Sequence, residues 1–193
     1  MKIGVLDIQG SIEEHFSALK RARIDAILVK NKEDLREISG LIIPGGESTV
    51  ISKLLKKFGL FEKILKSAKN GLRIWGTCAG AILLAKKIGN DGGVFGLNLM
   101  NIEVERNAYG RQLDSFETKI DFKVDGVGRS VKKIDAIFIR APKIVKVGKE
   151  CEVLAKYKDE IVAVREGNFL ATTFHPELTG DLSVHKYFEK MCE

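Results

Sequence analysis

The chain has 193 residues, 45% hydrophobic and 30% charged, with a net charge of +6. That length fits one domain with a real core and leaves no room for a second substrate domain. No apolar run approaches the roughly 18 residues of a membrane helix, and the start, MKIGVLDIQG, lacks a signal-peptide h-region and reads as a first strand. The expected location is the cytoplasm. Three cysteines, Cys78, Cys151 and Cys192, form neither a disulfide framework nor a CxxC zinc pattern. The three histidines make no HxH or HxxxH pair, so no metal site is expected. The lysines are spread through helical stretches beside glutamates, as in KLLKKFGLFEKILKSAK, and read as solvated helix faces rather than a nucleic-acid surface.

In chain order, KIGVLDI reads as a strand and SIEEHFSALKRA as a helix, capped by Ser11 with Glu14 three residues on. DAILV and GLIIP are further strands, the second stopped by Pro44, and STVISKLLKKF has helical periodicity. LRIWG is a fourth strand running into the helix CAGAILLAKK. Apolar strands separated by helices predict a mostly parallel sheet covered on both faces. The second half changes: NIEVER, FETKIDF, AIFIR, CEVLAKY, IVAVREG and FLATTF are closely spaced strands, and SVHKYFEKM closes the chain as an amphipathic helix. The expectation is a three-layer α/β fold with antiparallel additions, whose sites lie beyond the carboxyl ends of the parallel strands.

Three motifs fall at such ends. Gly76-Thr77-Cys78-Ala79-Gly80 has the G-x-nucleophile-x-G pattern of a nucleophile elbow. Its small flanking residues permit a sharp turn that lifts the central side chain above the sheet, and a helix N-terminus favours a thiolate there. The alternative is a buried structural cysteine at a tight turn. Phe174-His175-Pro176-Glu177 follows the strand FLATT. The proline disfavours helix at His175, and in an extended segment Glu177 points the same way and can orient the imidazole. His15 and His185 lie mid-helix and are expected at the surface or its boundary. Ile43-Pro44-Gly45-Gly46-Glu47-Ser48-Thr49 exposes backbone N–H groups ahead of a helix. With the N–H of Ala79 it could hold an oxyanion, though a capped glycine turn or a phosphate cradle fits equally.

In this combination, the chain resembles the class I glutamine amidotransferases, whose triad is Cys–His–Glu. It is more closely similar to the family of glutaminase subunits of pyridoxal phosphate synthase. The carriers, in order, are LDIQG with Glu14-His15, PGGEST, GTCAG, RNAYGRQLDSFE at 106–117, FIRAP and FHPEL. Asp7, where that family often has a small residue, is the one difference noted. The resemblance implies a flavodoxin-like class I glutamine amidotransferase domain over residues 1–193. It implies hydrolysis of L-glutamine to glutamate and ammonia, with Cys78 as nucleophile, His175 as base and Glu177 as its orienter. Gly46, Glu47 and Ser48 would line the glutamine site, with Gly46 and Ala79 at the oxyanion, and Arg106, Ile139 and Arg140 match glutamine-binding positions. Either arginine could grip the substrate α-carboxylate in a bidentate fork, join a surface ion pair, or serve a partner.

No cofactor is expected, nor a Schiff-base lysine. The implied partner is a synthase subunit that receives the ammonia within a hetero-oligomeric complex, with Gln9 and Gly10 near the contact. Two other readings compete: a stand-alone amidase or γ-glutamyl hydrolase, and a non-enzymatic protein using the elbow cysteine as a redox sensor. The latter would not need His-Pro-Glu after a late strand.

Overall fold

The computed structural model describes residues 1–90, 92–106, 115–125 and 130–193. The motif RNAYGRQLDSFE therefore falls largely outside the described residues. Five parallel strands form the centre: β1 (Ile3–Leu6), β2 (Ala26–Val29), β3 (Gly40–Ile43), β4 (Arg73–Thr77) and β12 (Phe169–Thr172). Their order is β2-β1-β3-β4-β12, the flavodoxin-like arrangement. Beyond β12 the sheet continues antiparallel through β11 (Glu160–Glu166), β10 (Glu152–Tyr157), β7 (Ser115–Lys123) and β8 (Val131–Ile139). A side branch adds β5 (Ala85–Gly89), β6 (Met100–Glu105) and β9 (Lys143–Val147), with β9 joining β11.

The strands are apolar on both sides because both faces are covered. Leu41, Ile43 and Ile74 point into one core, while Ile42 and Trp75, one residue out of phase, point into the other. The first core is closed by α2 (Ser48–Lys57), α3 (Leu60–Lys69) and α4 (Ala79–Leu84), the second by α1 (Ile12–Arg21) and α5 (Ser183–Cys192). Each fully buried Ile or Leu contributes roughly 1.5–3 kcal/mol. Lys53, Lys56, Lys57, Lys66 and Lys69 are exposed on α2 and α3.

Three local expectations need correction. The helix after the elbow stops at Leu84, and Ala85 and the two lysines after it open β5, because β6 offers them a pairing edge. KIVKV, passed over as a strand, forms β9 between β6 and β11. Ser11 stands at the N-cap of α1 but makes no capping bond, since its hydroxyl donates elsewhere. That hydroxyl goes to the site.

Candidate active site

Cys78 and His175 follow the ends of adjacent parallel strands. β4 and β12 run in register to Thr77 and Thr172, and the Cys78 N–H donates to the Thr172 carbonyl at 2.8 Å. The elbow is real: Cys78 has φ 47° and ψ −102°, a conformation costly for a residue with a side chain. It survives because its neighbours are tightly fitted. A Cβ on Gly76 would come within 2.4 Å of the Gly80 carbonyl carbon, and one on Gly80 within 2.1 Å of the Ile43 carbonyl oxygen. Cys78 is 8% exposed, opening into a cavity of about 370 Å³, an ordinary size for a small-ligand site.

His175 is fixed by its own backbone, whose N–H donates to Ile137 O at 2.7 Å. Its Nδ1 lies 2.7 Å from Glu177 Oε1. The expected contact is present, but not by extended geometry. Pro176–Leu178 is a 3-10 turn started by the proline, and it swings Glu177 beneath the ring. Glu177 is 3% exposed. Its Oε1 also accepts from the Ser11 hydroxyl at 2.7 Å.

The electrostatics follow from this packing. Burial works against a charged His175, yet hydrogen bonds with Cys78 and Glu177 outweigh it and raise its pKa to about 10. Glu177 is held down to about 2: burial opposes ionisation, while His15, His175 and Ser11 favour it. Burial keeps His15 itself neutral by lowering its pKa, so the cation that Glu177 faces near neutral pH is His175. The other thiols contrast. Burial raises Cys151, and pushes Cys192 up to about 12.

The cavity gathers every expected substrate and oxyanion residue: Gly46, Glu47, Ser48, Ala79, Arg106, Ile139 and Arg140 all line it with Cys78 and His175. Arg106 Nη2 lies 3.2 Å from Glu47 Oε1. Glu47, not Ser48, is the N-cap of α2, accepting from Thr49 N–H. Ile139 offers its carbonyl oxygen 3.9 Å from Cys78 Sγ. Arg140 follows in a left-handed conformation, φ 42°, so two of the strained non-glycine residues border one cavity. Gln9 and Gly10 also line it. The Gln9 Oε1 accepts from the Glu47 N–H at 2.9 Å, and the Ser11 N–H donates to Gly45 O at 3.0 Å, so the first loop braces the glycine loop.

His15 and His185 contradict the expectation of surface placement: both are 0% exposed. His15 Nδ1 is 3.1 Å from His185 Nε2, and His15 Nε2 is 3.1 Å from Thr77 Oγ1 and 3.4 Å from Glu177 Oε2. Trp75 packs against both rings in T-shaped contacts, with centroids at 5.3 and 4.9 Å. Helical spacing held the missed signal. His15, Ala18 and Leu19 share one face of α1, and His185, Phe188 and Cys192 share one face of α5.

These shifts set the pH profile of stability. Burial lowers His185 from 6.5 to about 3, so the unfolded chain takes up the proton first as pH falls. Stability then drops below pH 6.5 at up to about 1.4 kcal/mol per pH unit for one proton. Glu177 adds to the loss below its ordinary 4.5. His175 acts oppositely: its contribution is complete below 6.5 and is lost as pH rises towards 10. Denaturant melts should therefore peak near pH 6–7, and His185→Phe should flatten the acid limb.

A cysteine on an elbow facing a histidine–glutamate pair, on this sheet order, is the arrangement of the class I glutamine amidotransferases. A model of the SNO glutamine amidotransferase family matches residues 5–193, and the chain belongs to that family. It is similar to "Pyridoxal 5'-phosphate synthase subunit PdxT" of Thermotoga maritima, 50% identical over 193 residues and 100% of both chains. The protein of the same name from Dehalococcoides mccartyi is 51% identical over 195 residues, covering 100% of this chain and 98% of that one. A crystal structure described as a glutamine amidotransferase superposes with a TM-score of 0.90 at 43% identity, covering 98% of each chain. The structure of PurLQS from Thermotoga maritima, TM-score 0.72 at 17% identity over 100% of this chain and 99% of that one, shares the fold. No helix among the described residues is long and apolar enough to cross a membrane.

Proposed function

We propose that the chain is the glutaminase half of a pyridoxal 5'-phosphate synthase, working as one domain that hydrolyses L-glutamine and passes the ammonia to a synthase subunit. The observation that carries this reading is the convergence of Cys78, the His175–Glu177 pair and the Gly46 and Ala79 backbone on one cavity. The family and the full-length likeness to synthase subunits named PdxT support it. Three free cysteines fit the reducing cytoplasm.

In this mechanism the Cys78 proton resides on His175, and the thiolate attacks the carboxamide carbon of glutamine. The N–H groups of Gly46 and Ala79 hold the oxyanion of the tetrahedral intermediate. His175 donates its proton to the departing nitrogen, the C–N bond breaks, and ammonia leaves behind a γ-glutamyl thioester. Acylation removes the thiolate that favoured the charged ring. His175 can then take a proton from water as it attacks the thioester, and glutamate departs as the Cys78–carbon bond breaks. Glu177 keeps the ring oriented throughout. Arg106 or Arg140 receives the substrate α-carboxylate. Arg106 is the better held, but its contact with Glu47 must loosen or be shared.

Ammonia is largely protonated near neutral pH, so useful transfer needs a sheltered path to the acceptor. The partner docks near the carboxyl ends of the strands, close to Gln9 and Gly10, and completes the oxyanion site. Gln9 is the residue through which docking would act, since its side chain holds the Glu47 N–H beside Gly46. Glutamate release should rise at least tenfold when the synthase subunit is added, and Gln9→Ala should lose most of that gain. An isolated chain that is fully active, and indifferent to any synthase, is a stand-alone amidase instead.

A further inference from the structure

Both carboxylate oxygens of Glu177 are buried. Oε1 is satisfied twice, by His175 and by Ser11. Oε2 is buried and has no conventional hydrogen-bond partner among the described residues, and the cationic-capable group facing it is His15 Nε2 at 3.4 Å. A bare buried anionic oxygen carries its full desolvation cost, so a proton on that nitrogen matters. Two arrangements of the neutral ring are possible. With the proton on Nδ1, the Nε2 lone pair would point at a carboxylate, and His185 would be left with an orphaned Nδ1–H in the core. With the proton on Nε2, it is shared between Glu177 Oε2 and Thr77 Oγ1, and Nδ1 accepts from His185 Nε2–H. His185 Nδ1 then remains a bare acceptor without a partner, which buried structures tolerate better than an orphaned N–H.

We propose that His15 is a positioning residue for the glutaminase reaction, held as the neutral Nε2–H tautomer, which fixes the second oxygen of Glu177 and ties it to the strand that carries Cys78. The proposal rests on the triad reading above. Its geometry is a buried chain: His185, His15, Glu177, His175, Cys78. Because Ser11, at the N-cap of α1, lies one turn before His15, one side of that helix start holds both oxygens of the carboxylate. Glu177 therefore cannot rotate out from under His175 without breaking contacts to α1. Thr77 serves the same purpose from the other side, as the residue before the nucleophile. The groups that bias the His15 ring are Glu177 and Glu14, which favour its charge, and His175, which opposes it. Burial exceeds them and keeps it neutral.

The test has two arms on the full chain. Side-chain nitrogen NMR of the wild-type protein, which has three histidines in all, reads the tautomer without any assay. His15 should appear neutral with its proton on Nε2, and a proton on Nδ1 or a charged ring overturns the proposal. The second arm compares His15→Gln with His15→Asn in the complex with the synthase subunit. A glutamine amide reaches the Nε2 position, whereas an asparagine amide reaches only the Nδ1 position. His15→Gln should keep kcat within about threefold, while His15→Asn should lose about 10- to 100-fold, by analogy with the cost of removing groups that orient metal-ligating histidines. KM for glutamine should stay within twofold in both. Equal kcat for the two folded variants overturns the positioning role. Should the wild-type complex release no glutamate, the glutaminase reading fails, while the NMR arm still decides the tautomer.

Discussion

Cys78→Ala should abolish glutamine hydrolysis in the presence of the synthase subunit, a loss on the order of a millionfold and in practice to background. Removing the nucleophile of a cooperating catalytic unit costs about as much as removing the whole unit. The substitution should leave the fold intact, because the elbow is held by backbone: the Cys78 N–H on Thr172 O, and the close approaches of Gly76 and Gly80. A glutamine-like electrophile should label Cys78 alone. Burial suppresses ionisation of both Cys151 and Cys192, and the latter is pushed to about 12. Cys78→Gly supplies a control that separates strain from chemistry. It is equally inactive, but should melt above Cys78→Ala, since glycine adopts φ 47° without the side-chain penalty. Peptide mapping of the labelled protein and thermal melts of both variants check these outcomes. Labelling at Cys151, or activity in either variant, removes Cys78 from the mechanism.

His175→Asn should lose about ten-thousandfold in kcat, and Glu177→Gln about a hundredfold. In the proposed mechanism the ring both donates and accepts the proton in successive steps, and general acid–base catalysis contributes roughly 10²–10⁴-fold. Glu177→Gln keeps an oxygen for the ring N–H but removes the negative charge that helps raise His175 to about 10. The imidazolium should then titrate at lower pH, so the alkaline limit of Cys78 alkylation by an anionic reagent, which the ring's positive charge attracts, moves down. Steady-state kinetics with the synthase present, together with alkylation rates across pH, measure both effects. A Glu177→Gln variant as damaged as His175→Asn, with its alkylation profile unmoved, would mean that Glu177 does not act through the ring.

Much of this site was legible before any coordinates, for a physical reason. A nucleophile elbow is a local backbone solution, so Gly76 to Gly80 announces itself in five residues. The parallel strands were equally readable, since burial on both faces turns them into short apolar runs such as GLII. The His175–Glu177 contact was found by an incorrect route, because the proline that keeps His175 out of a helix also starts the turn carrying Glu177. What escaped was non-local. KIVKV carries two lysines and becomes β9 only because β6 and β11 lie alongside. His15 and His185 read as polar interruptions of amphipathic helices. Their burial depends on each other and on Glu177, groups 170 and 162 residues from His15, a separation that pattern reading cannot bridge.

Trp75 is the one tryptophan in the chain. Fully buried on β4, with its Nε1–H on the Thr172 hydroxyl, it sits two residues before Thr77 with its ring against both His15 and His185. A single fluorophore thus lies against the buried pair of imidazoles beside Glu177. Its emission comes from a fully buried site, and a protonated imidazole is an efficient quencher of indole. The fluorescence of the unmodified protein is therefore an optical record of the protonation and packing of that histidine pair. No dye or added label is needed to follow the interior of the site while a substrate or a partner binds at its mouth.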